Sequence, residues 1–235
     1  MSARIPAATG ALLIALLVPA SAQAVVTIDP LKPCYVSAET PAGPQTEGII
    51  IRATGFTPNS TVNLSLDGQP VQGGQELQVD NTGTLTLPSA VPAPFVANGT
   101  REFPLTLTEV NNPANTATVT AMTAALDVGV TPRRAKPSKI IRFKGGGFTA
   151  RTGVYAHYLF KGKLRKTVRM VRKTNVCGGW TAHRQQIPVK RPKAGLWTIQ
   201  FDQSKRYRDA TDPNSRFNGV SFRVGISVTF VRRPG

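Results

Sequence analysis

From Lys161 to Lys173 the chain reads KGKLRKTVRMVRK, seven cations in thirteen residues with no carboxylate to offset them. Arginine grips phosphate or carboxylate through two parallel hydrogen bonds, and lysine offers a compact point charge. Read with a period of two, Leu164, Val168 and Met170 share one strand face. Arg165, Arg169 and Lys173 share the other with Thr167 and Val171, while Lys166 breaks the pattern on the inner face. At roughly 3.3 Å per residue, such cations would stand about 13 Å apart on one surface, an array suited to a repeating anion. Lys161 and Lys163 flank the adjoining turn. The candidate polyanion-binding set is therefore Lys161, Lys163, Arg165, Arg169, Arg172 and Lys173. Tyr155 and His157, on the preceding strand, join it as weaker members.

Two more basic stretches follow. SKRYR, Ser204 to Arg208, opens a long connection over 203–218, where Tyr207 among cations is placed to stack on a sugar or a base. VKRPKAG, Val189 to Gly195, reads as an exposed turn. A plainer reading stands beside these. Charge runs usually form solvated faces, and Lys or Arg on an exposed strand edge blocks pairing with other chains.

Catalytic chemistry finds little to work with. His157 and His183 fall in no metal-ligand spacing, and Cys177 is followed by no second cysteine at zinc spacing. A Cys177–His157 or Cys177–His183 nucleophilic pair is the one enzyme reading left, as a Cys-dependent hydrolase. NVCGGW is more simply a turn holding a disulfide or a buried thiol. The late aspartates Asp202, Asp209 and Asp212 offer no paired-carboxylate hydrolase. No metal, no cofactor and no catalytic residue is expected.

Charge divides the chain. Residues 25–131 hold three Lys or Arg against nine Asp or Glu, a net of −6, whereas 132–235 hold 25 against three, a net of +22. That split implies a polyanion partner for the basic half, or attraction between the halves that cannot neutralise it. Cys34 and Cys177 lie in different halves; a bridge between them and two separate thiols both remain open. Residues 1–24 read as a signal peptide: Arg4, the apolar run ALLIALLV, then Ala22-Gln23-Ala24 as a cleavage site. The expected mature protein is exported, secreted or at the cell surface, with no membrane span.

The elements that must position the cations are strands. Val62, Leu64 and Leu66 alternate with Asn63, Ser65 and Asp67, and Asp67-Gly68 signals a hairpin. The phrase recurs: GFT at Gly55 returns at Gly147, an offset of 92, and Val62 falls opposite Val154. Gly68 then falls opposite Gly162 at 94, and FPLTL (103–107) opposite WTIQF (197–201). The expectation is a copied unit of about 95–100 residues. Trp180 and Trp197 read as core or end plugs. GVTPRRAKPSK, 129–139, reads as a linker, although Asp127 to Val130 already enters a first strand, so the boundary is set near Ala125.

CYVSAE, GIIIRATG and GFTPNSTVNLSLDG together resemble the immunoglobulin-like modules of secreted bacterial surface proteins. In those, a Gly-Phe-x-Pro-x-x-x-Val turn links two early strands. In the second half the likeness centres on GGGFTARTGVYAHY, where Ala150 replaces the proline. The resemblance implies an all-β fold of two tandem immunoglobulin-like antiparallel β-sandwich domains, 25–125 and 126–235, and implies no catalytic residues. The functional expectation is a non-catalytic exported protein whose basic domain binds an anionic envelope polymer, an acidic glycan or extracellular nucleic acid. The alternative is an adhesion module that binds protein partners, with incidental charge.

Overall fold

The computed structural model describes residues 25–40, 43–71, 76–87, 89–208 and, as backbone, 219–226. The signal-peptide reading and the end of the last expected strand, 227–230, lie outside them. No helix among the described residues is long and apolar enough to cross a membrane. The described chain is all-β, with packed and largely antiparallel sheets.

In the first half, β1 (Thr27–Ile28) pairs with β5 (Arg52–Thr54), which pairs with β9 (Thr84–Thr86); β4 (Gly48–Ile49) pairs with β10 (Val91–Pro92). The opposing sheet contains β2 (Cys34–Thr40), β3 (Gly43–Thr46), β6 (Thr61–Leu66), β7 (Gln69–Pro70), β11 (Thr100–Glu109) and β12 (Thr116–Ala125). Their order is β3-β2-β12-β11-β6-β7, with β8 (Leu77–Gln78) also on β6. Every pair is antiparallel except β2 with β12, which run parallel. Val62, Leu64 and Leu66 turn inward against Ile51, Leu85, Phe103 and Leu105.

Among its described residues, the second half follows the β1-β5-β9 and β7-β6-β11-β12 parts of that order. β13 (Asp127–Thr131), β14 (Ile140–Gly146) and β17 (Trp180–Gln185) form one sheet. β16 (Lys163–Val171), β15 (Val154–Phe160), β18 (Gly195–Asp202) and β19 (Gly219–Ile226) form the other, in that order. Its core is more aromatic: Phe143, Phe148, Tyr158, Trp180, Trp197 and Phe201 are all buried. Both tryptophans are thus core residues, and Trp197 Nε1 donates to the Lys193 carbonyl at 3.0 Å.

The stretch expected as a linker is part of the second half. Its first residues complete β13, and 132–139 connect β13 to β14, tied by Ile187 N donating to the Pro137 carbonyl at 2.9 Å. The halves meet through β2. It hydrogen-bonds to β12, yet Val36 and Ala38 pack against the second core. Leu126 N donates to the Ser37 carbonyl at 2.7 Å, and Cys34 is bonded to Cys177 with Cα atoms 5.2 Å apart.

Candidate polyanion-binding surface

The repeated turn explains the repeated phrase. Gly55 has φ +91° and a Cβ there would lie 2.6 Å from the Val25 carbonyl oxygen; Gly147 has φ +71° and its Cβ would lie 2.6 Å from Leu126 N. Each glycine therefore lets the turn close on its half's first segment. Phe56 and Phe148 then enter the cores. Behind each phenylalanine lies a second turn with the same wiring. Asp80 Oδ1 accepts from Thr82 N (2.8 Å) and Thr84 N (2.9 Å), and Asn175 Oδ1 accepts from Cys177 N (3.0 Å) and Gly179 N (2.7 Å). Hydrogen bonds led by the Thr82 hydroxyl hold the Asp80 carboxyl below its usual range.

A side chain from the end of the neighbouring strand caps the motif threonine in each half. Glu109 Oε2 accepts from Thr57 N at 3.3 Å, and Gln203 Oε1 accepts from Thr149 N at 3.0 Å. Burial pushes Glu109 up, but donors led by Asn115 Nδ2 at 2.6 Å outweigh it and hold the carboxyl low. The hairpins match too: Asp67 and Gly68 have φ 54° and 75°, Lys161 and Gly162 φ 51° and 72°. Positive φ at both central residues is the type I′ signature.

These turns aim β15 and β16, and they place the candidate residues differently from a simple alternation. β16 is a strand at the sheet edge, and register shifts interrupt its pairing with β15 in two places. Tyr155 pairs with Arg169 but Val154 with Val171, leaving Met170 as an extra residue; Tyr158 pairs with Lys166 but Leu159 with Leu164, leaving Arg165 extra. Each bulge reverses the phase. Arg169 and Thr167 therefore share the outward face with Tyr155 and His157. Arg165 sits in a bulge, Val171 turns to the core side opposite buried Val154, and Arg172 and Lys173 lie beyond the strand end. The expected single-plane row of Arg165, Arg169 and Lys173 is not formed. Lys161, Lys163, Arg165, Arg169, Arg172 and Lys173 are nevertheless all exposed. Lys161 Nζ lies 5.9 Å from the Phe160 ring centre.

His157 requires a second correction. It stands on the outward face but is fully buried, because 203–208 folds over it. His157 Nδ1 is 2.9 Å from the Thr167 hydroxyl, and Nε2 faces both Asp202 Oδ1 and the Ser204 carbonyl at 3.1 Å. Two acceptors at Nε2 require a proton on that nitrogen, so the ring is a donor there. Ser204 N returns a bond to Asp202 Oδ1 at 2.8 Å, and Gln200 Nε2 holds the Arg208 carbonyl at 2.7 Å. Tyr207, expected as a ligand platform, lies against His157 with ring centres 5.7 Å apart. His157 is thus a latch, and the cations displayed above it are Lys205, Arg206 and Arg208. Nothing in the local sequence marks this cover, since it arrives from 45 residues downstream.

The disulfide occupies Cys177, which leaves that sulfur no thiolate for the hydrolase reading. A cavity of about 300 Å³ beside it is lined by Lys32, Tyr35, Glu47, Phe148 and Val176. Lys32 there already pairs with Glu47. Among the described residues, no three His, Cys, Asp or Glu side chains gather to hold a metal ion.

Every described lysine and arginine from Arg133 to Arg208 is exposed. The Lys or Arg ion pairs among the described residues, Lys32–Glu47 and Arg101–Asp67, both lie in the first half. The second half's described carboxylates are Asp127, half-buried near Lys144, and Asp202, buried against His157.

No protein-family model matches this chain, and no curated protein matches it. Among solved structures, a tetra-tandem repeat in the extending region of a large adhesion protein is 13% identical, covering 85% of this chain and 47% of its own, with a TM-score of 0.26. A protein of the Bacteroides ovatus mixed-linkage glucan utilization locus, in complex with a mixed-linkage heptasaccharide, is 13% identical over 86% of this chain and 46% of its own, with a TM-score of 0.25. Extracellular cadherin domains 1–4 of protocadherin gamma B7 are 11% identical over 87% and 50%, with a TM-score of 0.25. The chain spans about half the length of each, and at these scores the matches carry no argument about function.

Proposed function

We propose that this is an exported, non-catalytic protein built from two copies of one immunoglobulin-like unit, 25–125 and 126–235. The second copy binds an anionic polymer of the cell envelope or extracellular space. The copying is supported by the shared strand order and by the paired turns at Gly55 and Gly147, Asp80 and Asn175, and Asp67-Gly68 and Lys161-Gly162. The binding reading rests on one observation: the cations of the second half stand in water with no described carboxylate in ion-pair contact. A surface so charged gathers counterions, and a polyanion gains free energy by releasing them. The β2 packing and the Cys34–Cys177 bond make the acidic half a support that holds the basic half in a fixed place.

The edge position of β16 supports a second reading, in which Lys163, Arg165, Lys166 and Arg169 guard an unpaired strand. Salt titration of the mature chain on immobilised polyanions separates the two. Binding predicts retention that falls steeply with ionic strength. Edge guarding predicts weak retention, and self-association when Lys163, Arg165 and Arg169 become glutamine.

A further inference from the structure

The connections of the second half alternate between two ends. β13 ends at Thr131 and β14 begins at Ile140; β15 ends at Phe160 and β16 begins at Lys163; β17 ends at Gln185 and β18 begins at Gly195. All three connections, 132–139, 161–162 and 186–194, therefore lie at the end opposite the disulfide and the Gly147 turn. They carry Arg133, Arg134, Lys136, Lys139, Lys161, Lys190, Arg191 and Lys193, with Lys163 at their margin, and no Asp or Glu.

This end is stitched together. Ile187 N donates to the Pro137 carbonyl at 2.9 Å and Gln186 N to the Lys139 carbonyl at 3.0 Å, joining the first and third connections. Trp197 Nε1 holds the Lys193 carbonyl at 3.0 Å, and the Trp197 ring lies 5.1 Å from Phe160, joining the third to the hairpin. Ala135 and Val189 are turned toward the core, which leaves the cations outward. Backbone fixed in this way presents charges that need little ordering when a ligand arrives.

Resting on the binding function proposed above, we infer that this tip is its principal contact site and that its ligand is an acidic polysaccharide. The three connections contain no aromatic residue on which an unpaired base could stack, which counts against single-stranded nucleic acid; duplex DNA, held by charge alone, is a rival that the test separates. Their large apolar side chains, Ile187 and Val189, face the core, so none is available to enter a bilayer. The exposed aliphatics Ile140, Leu164 and Leu196 stand at the strand starts bordering this tip, which makes an anionic bilayer a further rival that the vesicle arm of the test must separate. What remains is charge at several points on one fixed platform, which suits a polymer with a regularly repeating anionic group.

The test compares two charge-matched variants of the full mature chain. The tip variant carries R133Q, K136Q, K163Q and K190Q; the flank variant carries R142Q, K144Q, R151Q and R184Q, exposed cations outside the three connections and outside the candidate set. Both are titrated with polygalacturonate and heparin as probes, and with duplex DNA and anionic phospholipid vesicles as competitors, across a salt series. The tip variant should bind the glycans on the order of a hundredfold more weakly near physiological salt, with its log–log salt slope reduced by about 3. The flank variant should stay within roughly threefold of the parent. Equal losses in both variants overturn the tip assignment and leave the wider binding function standing. Tip-dependent binding that favours DNA or vesicles overturns the polysaccharide assignment. If the parent shows no salt-dependent binding to any probe, the binding function itself fails.

Discussion

Gly178 and Gly162 have nearly the same backbone, φ +69° and +72°, but opposite surroundings, so one substitution separates conformational cost from steric cost. At Gly162 a Cβ would meet nothing within 4 Å. Alanine there should cost about 1 kcal/mol for the left-handed conformation, partly offset by a less flexible unfolded chain. At Gly178 the same Cβ would lie 1.7 Å from the Phe148 carbonyl oxygen and 2.2 Å from its nitrogen. Those are backbone atoms and cannot swing aside. The turn must open or Phe148 must leave the core, where it packs edge-on to Trp180 with ring centres 5.9 Å apart. Displacing a buried phenylalanine costs roughly 3–5 kcal/mol, so Gly178→Ala should lose about 4. Gly83→Ala, whose Cβ would lie 2.5 Å from the Phe56 carbonyl oxygen, should fall between the two. Urea unfolding of the oxidised protein measures all three. If Gly178→Ala costs no more than Gly162→Ala, the second turn does not lie on the phenylalanine backbone, and the wiring shared by the two halves is wrong.

Three further outcomes follow from other contacts. His157→Leu leaves the Ser204 carbonyl and Asp202 short of a donor in a buried site, so it should cost about 2–4 kcal/mol and loosen 203–208 enough for trypsin to cut after Lys205 and Arg206 under native conditions. Replacing Cys34 and Cys177 by serine opens a loop with a sequence separation of 143 and should cost up to about 5 kcal/mol in urea unfolding; the unreduced parent should take up no thiol label. Glu109 has a depressed carboxyl, so its contribution is complete above the unfolded value of about 4.3 and disappears as pH falls through the lower folded value. The stability gap between the parent and Glu109→Gln should therefore narrow on acidification, and a gap that widened would reverse the sign argued here.

The strand pattern was legible because each half spells its own constraints. Gly55 and Gly147 must accept positive φ against neighbouring backbone, and Val62 and Val154 must start inward faces, so the same letters return at the same spacing. The bulges of β16 were not legible, because one extra residue changes the face without changing composition. Lys166 gave no sign of them, since it pairs with Tyr158 between the two irregularities and keeps the phase of Val168. The burial of His157 was hidden for another reason: its cover comes from Ser204 to Arg208, Tyr207 included, and an exposed basic loop and a basic latch have the same sequence signature. The role of 132–139 was misread because Pro, Arg and Lys mark linkers and ordered end loops alike. The backbone bonds to Gln186 and Ile187 make it the latter.

Whether the charge serves a ligand or only solubility can be argued from the carboxylates the second half lacks. Solubility favours added cations but gives no reason to avoid anions in structural turns. At the Asx turn the first half uses Asp80 and the second uses Asn175, in the same bonding pattern. At the motif threonine the pair is Glu109 and Gln203, but there the amide has a local use, since Gln203 Nε2 donates to the Thr149 carbonyl at 3.0 Å. Asn175 makes its two side-chain bonds through its oxygen. Asn175→Asp should keep both acceptor bonds and gain attraction from the nearby cations Arg172 and Lys173, leaving thermal stability unchanged or raised by up to about 0.5 kcal/mol. That result would mean the fold accepts an anion where the sequence withholds one, which is the signature of a surface kept positive for a partner. A loss above roughly 1 kcal/mol, beyond what an ordinary surface substitution produces, would assign the asparagine to folding and remove this support for a ligand.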